Sequence, residues 1–207
     1  MKCKLFYFSV VLLFCTTGLY AQLGIKAGVN IANEINSYSV SDIKAGFNTS
    51  NLTGYQIGLV YQLMPKKSGF GFEAGALLSQ KGSTYNDSTS QGYRELNYLE
   101  VPLNLRYHVL ISAIGIYGFG GIYGGYSLSG KTVNETTNNI QNETYSGFME
   151  HVDYGYNFGA GVELLKKIQF GATLSQGIKN TSKTVIGLPT AKNSTNRVYS
   201  VNLVYIF

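Results

Sequence analysis

From residue 22 to the last residue the chain keeps one rhythm, an alternation of apolar residues with polar or small ones, in about eight separate runs. "QLGIKAGVNIA" sets Leu23, Ile25, Ala27, Val29 and Ile31 against Gly24, Lys26, Gly28 and Asn30. "GYQIGLVYQL", "FGFEAGALLSQ" and "YLEVPLNLRY" follow, and later come "YGYNFGAGVEL", "IQFGATLSQG" and "VYSVNLVYIF". Successive side chains of a strand point to opposite faces, so each run predicts a strand with one apolar face. The runs are close to the 9–11 residues with which a tilted strand crosses a bilayer. An eighth, Ile114 to Leu128, is dense in glycine, and a bulge near Gly120 and Gly121 is expected to reconcile its two halves.

The connections alternate as well. Long or medium polar stretches (Asn33 to Thr53, Thr84 to Glu95, Gly130 to Val152, Ile178 to Asn196) take turns with the short "MPKKSG", "LISA" and "LKK". Short turns on one side and longer loops on the other are the pattern of outer-membrane barrels. The fold expected is a closed antiparallel transmembrane β-barrel of eight strands, an up-and-down meander with short periplasmic turns and long extracellular loops. Closure is required because an open edge would leave backbone N–H and C=O groups unpaired in hydrocarbon.

Which face meets lipid follows from composition. Charged residues make up only 13% of the chain, against about 25% in soluble domains. The non-apolar face carries much of the glycine, which suits a narrow barrel interior better than a water-facing surface. Tyr55, Tyr61, Phe70, Tyr107, Tyr154, Tyr199, Tyr205 and Phe207 fall near strand ends, as membrane-interface girdles require. The apolar face is therefore expected outside.

The first 21 residues, "MKCKLFYFSVVLLFCTTGLYA", combine Lys2 and Lys4 with an apolar stretch too short to span a membrane. They read as a signal peptide cleaved after Ala21, leaving a barrel domain over residues 22–207. Both cysteines, Cys3 and Cys15, lie inside that segment, so no disulfide is expected in the remainder. Removing the two lysines lowers the formal charge from +5 to +3, and the basic residues form no patch interleaved with aromatics. Nucleic acid is not an expected partner.

Four stretches, "GIKAGVNIA", "YLEVPLNLRY", "DYGYNFGAGVEL" and the terminal strand ending in Phe207, resemble the PorT-like outer-membrane β-barrel family. The resemblance implies an outer-membrane location, lipid surroundings and a terminal aromatic read by the barrel-insertion machinery. It implies little about activity. Its name-giving member is linked to a secretion apparatus.

Lys26, Glu73, Glu100, Arg106 and Glu163 fall on the inward face. Strand direction places all but Glu100 in the periplasmic half of the lumen, with Glu100 nearer the middle of its strand. They are expected to form a structural charge cluster that fills the interior. No catalytic residue, metal site or cofactor is expected. His108 falls on the inward face near the periplasmic rim, and His151 stands two residues before Asp153, which alone is a weak catalytic signature. Lys66, Lys67, Lys166 and Lys167 crowd two periplasmic turns, where they suit phospholipid headgroups or an acidic partner. Pro102 is expected to cost the ladder one bond or to mark a bulge. The function expected is non-enzymatic, in envelope structure or surface interaction. A narrow pore or a secretion-apparatus component is the alternative.

Overall fold

The computed structural model describes residues 19–37, 48–66, 68–86, 91–142, 151–179 and 193–207. Most of the expected signal peptide, Lys67 and most of the long loops lie outside the described residues. The elements are β1 (Leu19–Ser37), β2 (Asn48–Pro65), β3 (Gly69–Asn86), β4 (Gln91–Ile111), β5 (Ile114–Asn134), β6 (Asn139–Asn142), β7 (Val152–Leu164), β8 (Ile168–Gly177) and β9 (Asn193–Ile206). Every pairing is antiparallel. Eight strands form a ring in which β1 pairs with β9 and β5 with β7, while β6 folds back on the outer end of β5 as a short hairpin.

The register defines the barrel. Stepping from Val162 through partners Phe170, Leu203, Ala27, Ile57, Leu78, Leu99 and Tyr126 returns to β7 at Val152, ten residues from the start. A shear of ten over eight strands tilts each strand by about 40° and leaves an interior that side chains can fill.

The alternation is realised with the apolar face outward. From Leu23 to Ile31 on β1, and from Tyr199 to Phe207 on β9, every second residue is apolar and exposed. All eight aromatics expected in the girdles are exposed, Tyr55, Tyr154 and Tyr199 toward the outer end of the band and the other five toward the turns. Leu103, 52% exposed, sits near the middle of this band. Leu103→Arg is therefore expected to cost about 2–4 kcal/mol in a refolding titration into liposomes. An unchanged midpoint would contradict the outward assignment.

Three features differ from the sequence reading. First, β1 to β5 are 18–21 residues long, twice the membrane crossing. Their ladders continue past the apolar band into stretches read as loop, because backbone pairing needs only a neighbouring strand. The segments Gln91–Glu95, Gly130–Asn134 and Asn193–Asn196 are strand for this reason. Second, β5 has no bulge at Gly120 and Gly121, where pairing with both neighbours is continuous. The irregularity lies higher, where Asn97 pairs with Ser129 but Tyr98 with Ser127, leaving Leu128 as the extra residue. Inward positions are odd-numbered from Gly115 to Ser127 and even-numbered at Gly130 and Thr132. Third, β1 begins at Leu19, so Leu19, Tyr20 and Ala21 continue the ladder opposite Pro65, Met64 and Leu63.

Pro102 costs ladder bonds without a bulge. The β3–β4 pairing runs to Ala74 with Leu103 and resumes, in the same register, at Leu77 with Glu100. Gly75 fills the break: a Cβ there would lie 3.2 Å from Pro102 Cγ. The turns at this end are tight, with Ser112, Leu165 and Lys166 all at positive φ.

Candidate functional site

The lumen gathers buried ionisable side chains, and strand parity puts them there. Arg106 alternates inward on β4 and is 2% exposed. Its Nη1 donates to Glu73 Oε2 on β3 at 2.7 Å, and its Nη2 donates to Gln169 Oε1 on β8 at 3.0 Å. The guanidinium lies 3.5 Å from the centre of the Tyr117 ring on β5, a stacking that favours arginine over lysine. That ring fits because Gly161 and Gly171 lie beneath it; a Cβ at either would stand within 2.5 Å of the Tyr117 hydroxyl.

The network spreads from this pair. Gln62 Nε2 on β2 donates to Glu73 Oε2 at 2.7 Å, and Asn104 Nδ2 donates to Glu73 Oε1 at 3.2 Å. Gln62 and Gln169 exchange hydrogen bonds, and Gln169 Nε2 also donates to Glu163 Oε2 on β7 at 2.8 Å. Lys26, buried on β1, adds a second positive charge acting on Glu73. Glu163 Oε1 in turn faces His108 Nε2 at 3.5 Å.

A neutral layer lies above. Ser200 Oγ donates to Asn30 Oδ1 at 2.9 Å, Asn30 Nδ2 to Ser79 Oγ at 3.2 Å, and Asn202 Nδ2 to Thr173 Oγ1 at 2.9 Å. Gln56 Nε2 donates to Asn202 Oδ1. One side of the lumen is apolar, where Val60, Leu77, Val204 and Ile206 pack together.

A second ionic cluster closes the outer half. Lys81 Nζ lies 2.7 Å from Glu100 Oε2 and 3.5 Å from Asp153 Oδ2, and both Lys81 and Asp153 are essentially inaccessible. Asp153 Oδ2 also accepts from Tyr123 OH at 3.2 Å and Asn196 Nδ2 at 3.0 Å. The Lys81 ammonium stands 4.3 Å from the centre of the Tyr123 ring.

The five expected lumen charges are all buried, but they do not form one group. Lys26, Glu73, Arg106 and Glu163 gather at the periplasmic end. Glu100 belongs with Lys81 and Asp153, on the order of 20 Å higher along the axis, since Glu73 and Lys81 are eight residues apart on one tilted strand. Lys81 and Asp153 were missed because the alternation was followed only from Phe70 to Gln80 and from Tyr154 onward. One further step of two recovers each. His151 stacks on Tyr126 with ring centres 4.7 Å apart, and its Nδ1 lies 2.7 Å from the Ser127 carbonyl oxygen. Asp153 is held by Lys81, Tyr123 and Asn196. Among the described residues no three His, Cys, Asp or Glu are grouped to hold a metal.

Comparison with known proteins agrees with this architecture. Residues 16–183 match the model of the outer membrane protein beta-barrel domain. Nothing among curated proteins matches. The outer membrane protein OprG from Pseudomonas aeruginosa is similar in structure at 14% identity and TM-score 0.52, over 92% of this chain and 98% of that one. Ail, the attachment invasion locus protein of Yersinia pestis, is similar at 13% identity and TM-score 0.45, over 90% and 99%. Neisserial surface protein A is similar at 9% identity and TM-score 0.46, over 91% and 99%. At such identity the likeness to OprG speaks to fold alone. The family match spans most of the sequence, the ring of eight strands is closed, and its apolar face is outward: the chain belongs to the outer membrane protein beta-barrel domain family and is a small barrel of the outer membrane, set in its lipid.

Proposed function

We propose that this barrel is a non-enzymatic component of the outer membrane, serving envelope structure or surface interaction, with a lumen that is a packed structural core. The observation that carries this reading is the side-chain network joining β2, β3, β4, β5, β7 and β8 around Arg106. Charged groups that pair with one another across the bore hold the wall in register. The five charges Lys26, Glu73, Glu100, Arg106 and Glu163 are structural in this reading. Within the family, the PorT-like motifs support a narrower kinship. Residues 1–21 serve as the export signal and residues 22–207 as the barrel, and Phe207 is the aromatic that the insertion machinery engages.

Planar-bilayer recording tests the sealed lumen. The purified barrel is expected to give a flat baseline under applied voltage. Steady, ion-selective openings would favour the alternative, a narrow pore or a secretion component.

A further inference from the structure

The periplasmic mouth of the lumen holds a cavity of about 110 Å³, lined by Gln22, Met64, Lys66, His108, Glu163 and Lys166 together with Tyr20 and neighbouring backbone. Its polar groups are only partly matched among themselves. His108 is 5% exposed; its Nε2 stands 3.5 Å from Glu163 Oε1, and its Nδ1 has no hydrogen-bond partner. Lys66 and Lys166 rise from different turns, β2–β3 and β7–β8, and among the described residues neither forms an ion pair; Lys66 only rests over the Tyr20 ring at 4.2 Å. Deeper in the lumen lie Arg106 and Lys26. The two carboxylates at this end are already engaged, Glu73 by Arg106, and Glu163 by Gln169 and more loosely by His108. The mouth is thus a small recess with surplus positive charge, its low-dielectric walls focusing that charge inward.

We propose that this recess is an anion site that takes a phosphate group, held between the Lys66 and Lys166 ammonium groups at the mouth beside His108. A phosphate carries more charge than a carboxylate and offers three acceptor oxygens, so it can meet donors from two turns at once. The group can arrive as a free phosphorylated solute in the periplasm or as the headgroup of an inner-leaflet phospholipid. Cleavage after Ala21, the processing proposed above, would remove Tyr20 and widen the entrance while leaving both lysines and His108.

The test uses the processed chain folded in dodecyl maltoside, a detergent without phosphate, with the His108 ring followed by NMR at constant ionic strength. Added inorganic phosphate is expected to shift the ring signals saturably. The double variant Lys66→Ala/Lys166→Ala is expected to weaken that response at least tenfold, and Lys131→Ala to leave it unchanged. These lysines are exposed, so folding is retained. A parallel arm moves the protein into nanodiscs of phosphatidylglycerol. A shift there that needs both lysines, with none from free phosphate, identifies a lipid headgroup as the source. No shift in either arm, an equal response to added chloride, or a response that survives in the double variant overturns the proposal.

Discussion

Arg106→Ala is expected to lower the unfolding free energy by about 3–5 kcal/mol, the usual result of removing one partner of a buried ion pair. Glu73 would keep its bonds from Gln62 and Asn104 but lose the charged donor, Arg106, that contacts its carboxylate directly. Gln169 would lose a donor, and the Tyr117 ring would face a void. The measurement is the urea midpoint of the barrel in detergent micelles, set beside Lys131→Ala. Lys131 also pairs with a carboxylate, Glu95 at 2.9 Å, and that hydrogen bond raises its ammonium above the ordinary lysine value. It stands above the membrane band and is well exposed, so water and salt screen the pair and its loss should cost less than about 1 kcal/mol. Equal midpoints for the two variants would show that the lumen network does not hold the barrel together.

Lys81→Ala is expected to have an effect of the same order, about 3–5 kcal/mol at neutral pH. It strands two carboxylates, Glu100 and Asp153, which share this one ammonium. Neutralising both acids alongside, as Lys81→Ala/Glu100→Gln/Asp153→Asn, should recover much of the loss at neutral pH, since an uncharged cluster carries no stranded charge. A triple variant no better than the single one would mean that Lys81 acts through packing on Tyr98 and Tyr123 instead.

The sequence made the faces legible and the strand ends illegible, for one physical reason. Alternation of Leu99, Val101, Leu103 and Leu105 with Glu100, Asn104 and Arg106 reports two different solvents, lipid outside and a packed polar bore inside. Above the membrane both faces are polar, so Tyr93, Glu95 and Lys131 carry no contrast, and the ladder that contains them has no hydrophobic signature. The glycine run of β5 fails similarly, because Gly118 and Gly120 outside look like Gly115 and Gly121 inside. The true parity change, at Leu128, falls on the apolar residue that closes the alternating run. Charges were easier to find than their partners. Gln62 and Gln169 bridge the Arg106 network, yet an inward amide on a barrel strand looks the same whether it links two charges or only fills space.

The seam between β1 and β9 bears on the order of events during biogenesis. Gly24 pairs with Ile206, so the first and last strands of the domain are neighbours across nearly its full length. Every other pairing around the ring joins strands that follow one another closely in the chain, and can form as hairpins do. The seam cannot form until the last strand has been made and exported, and such distant pairing closes slowly. Until then the sheet has two free edges and an unassembled core, since Lys26 and the β2–β3 side of the network reach β8 only through a curled wall. The barrel should therefore close in one late cooperative step, in which sealing the edge and joining Arg106 to Gln169 happen together.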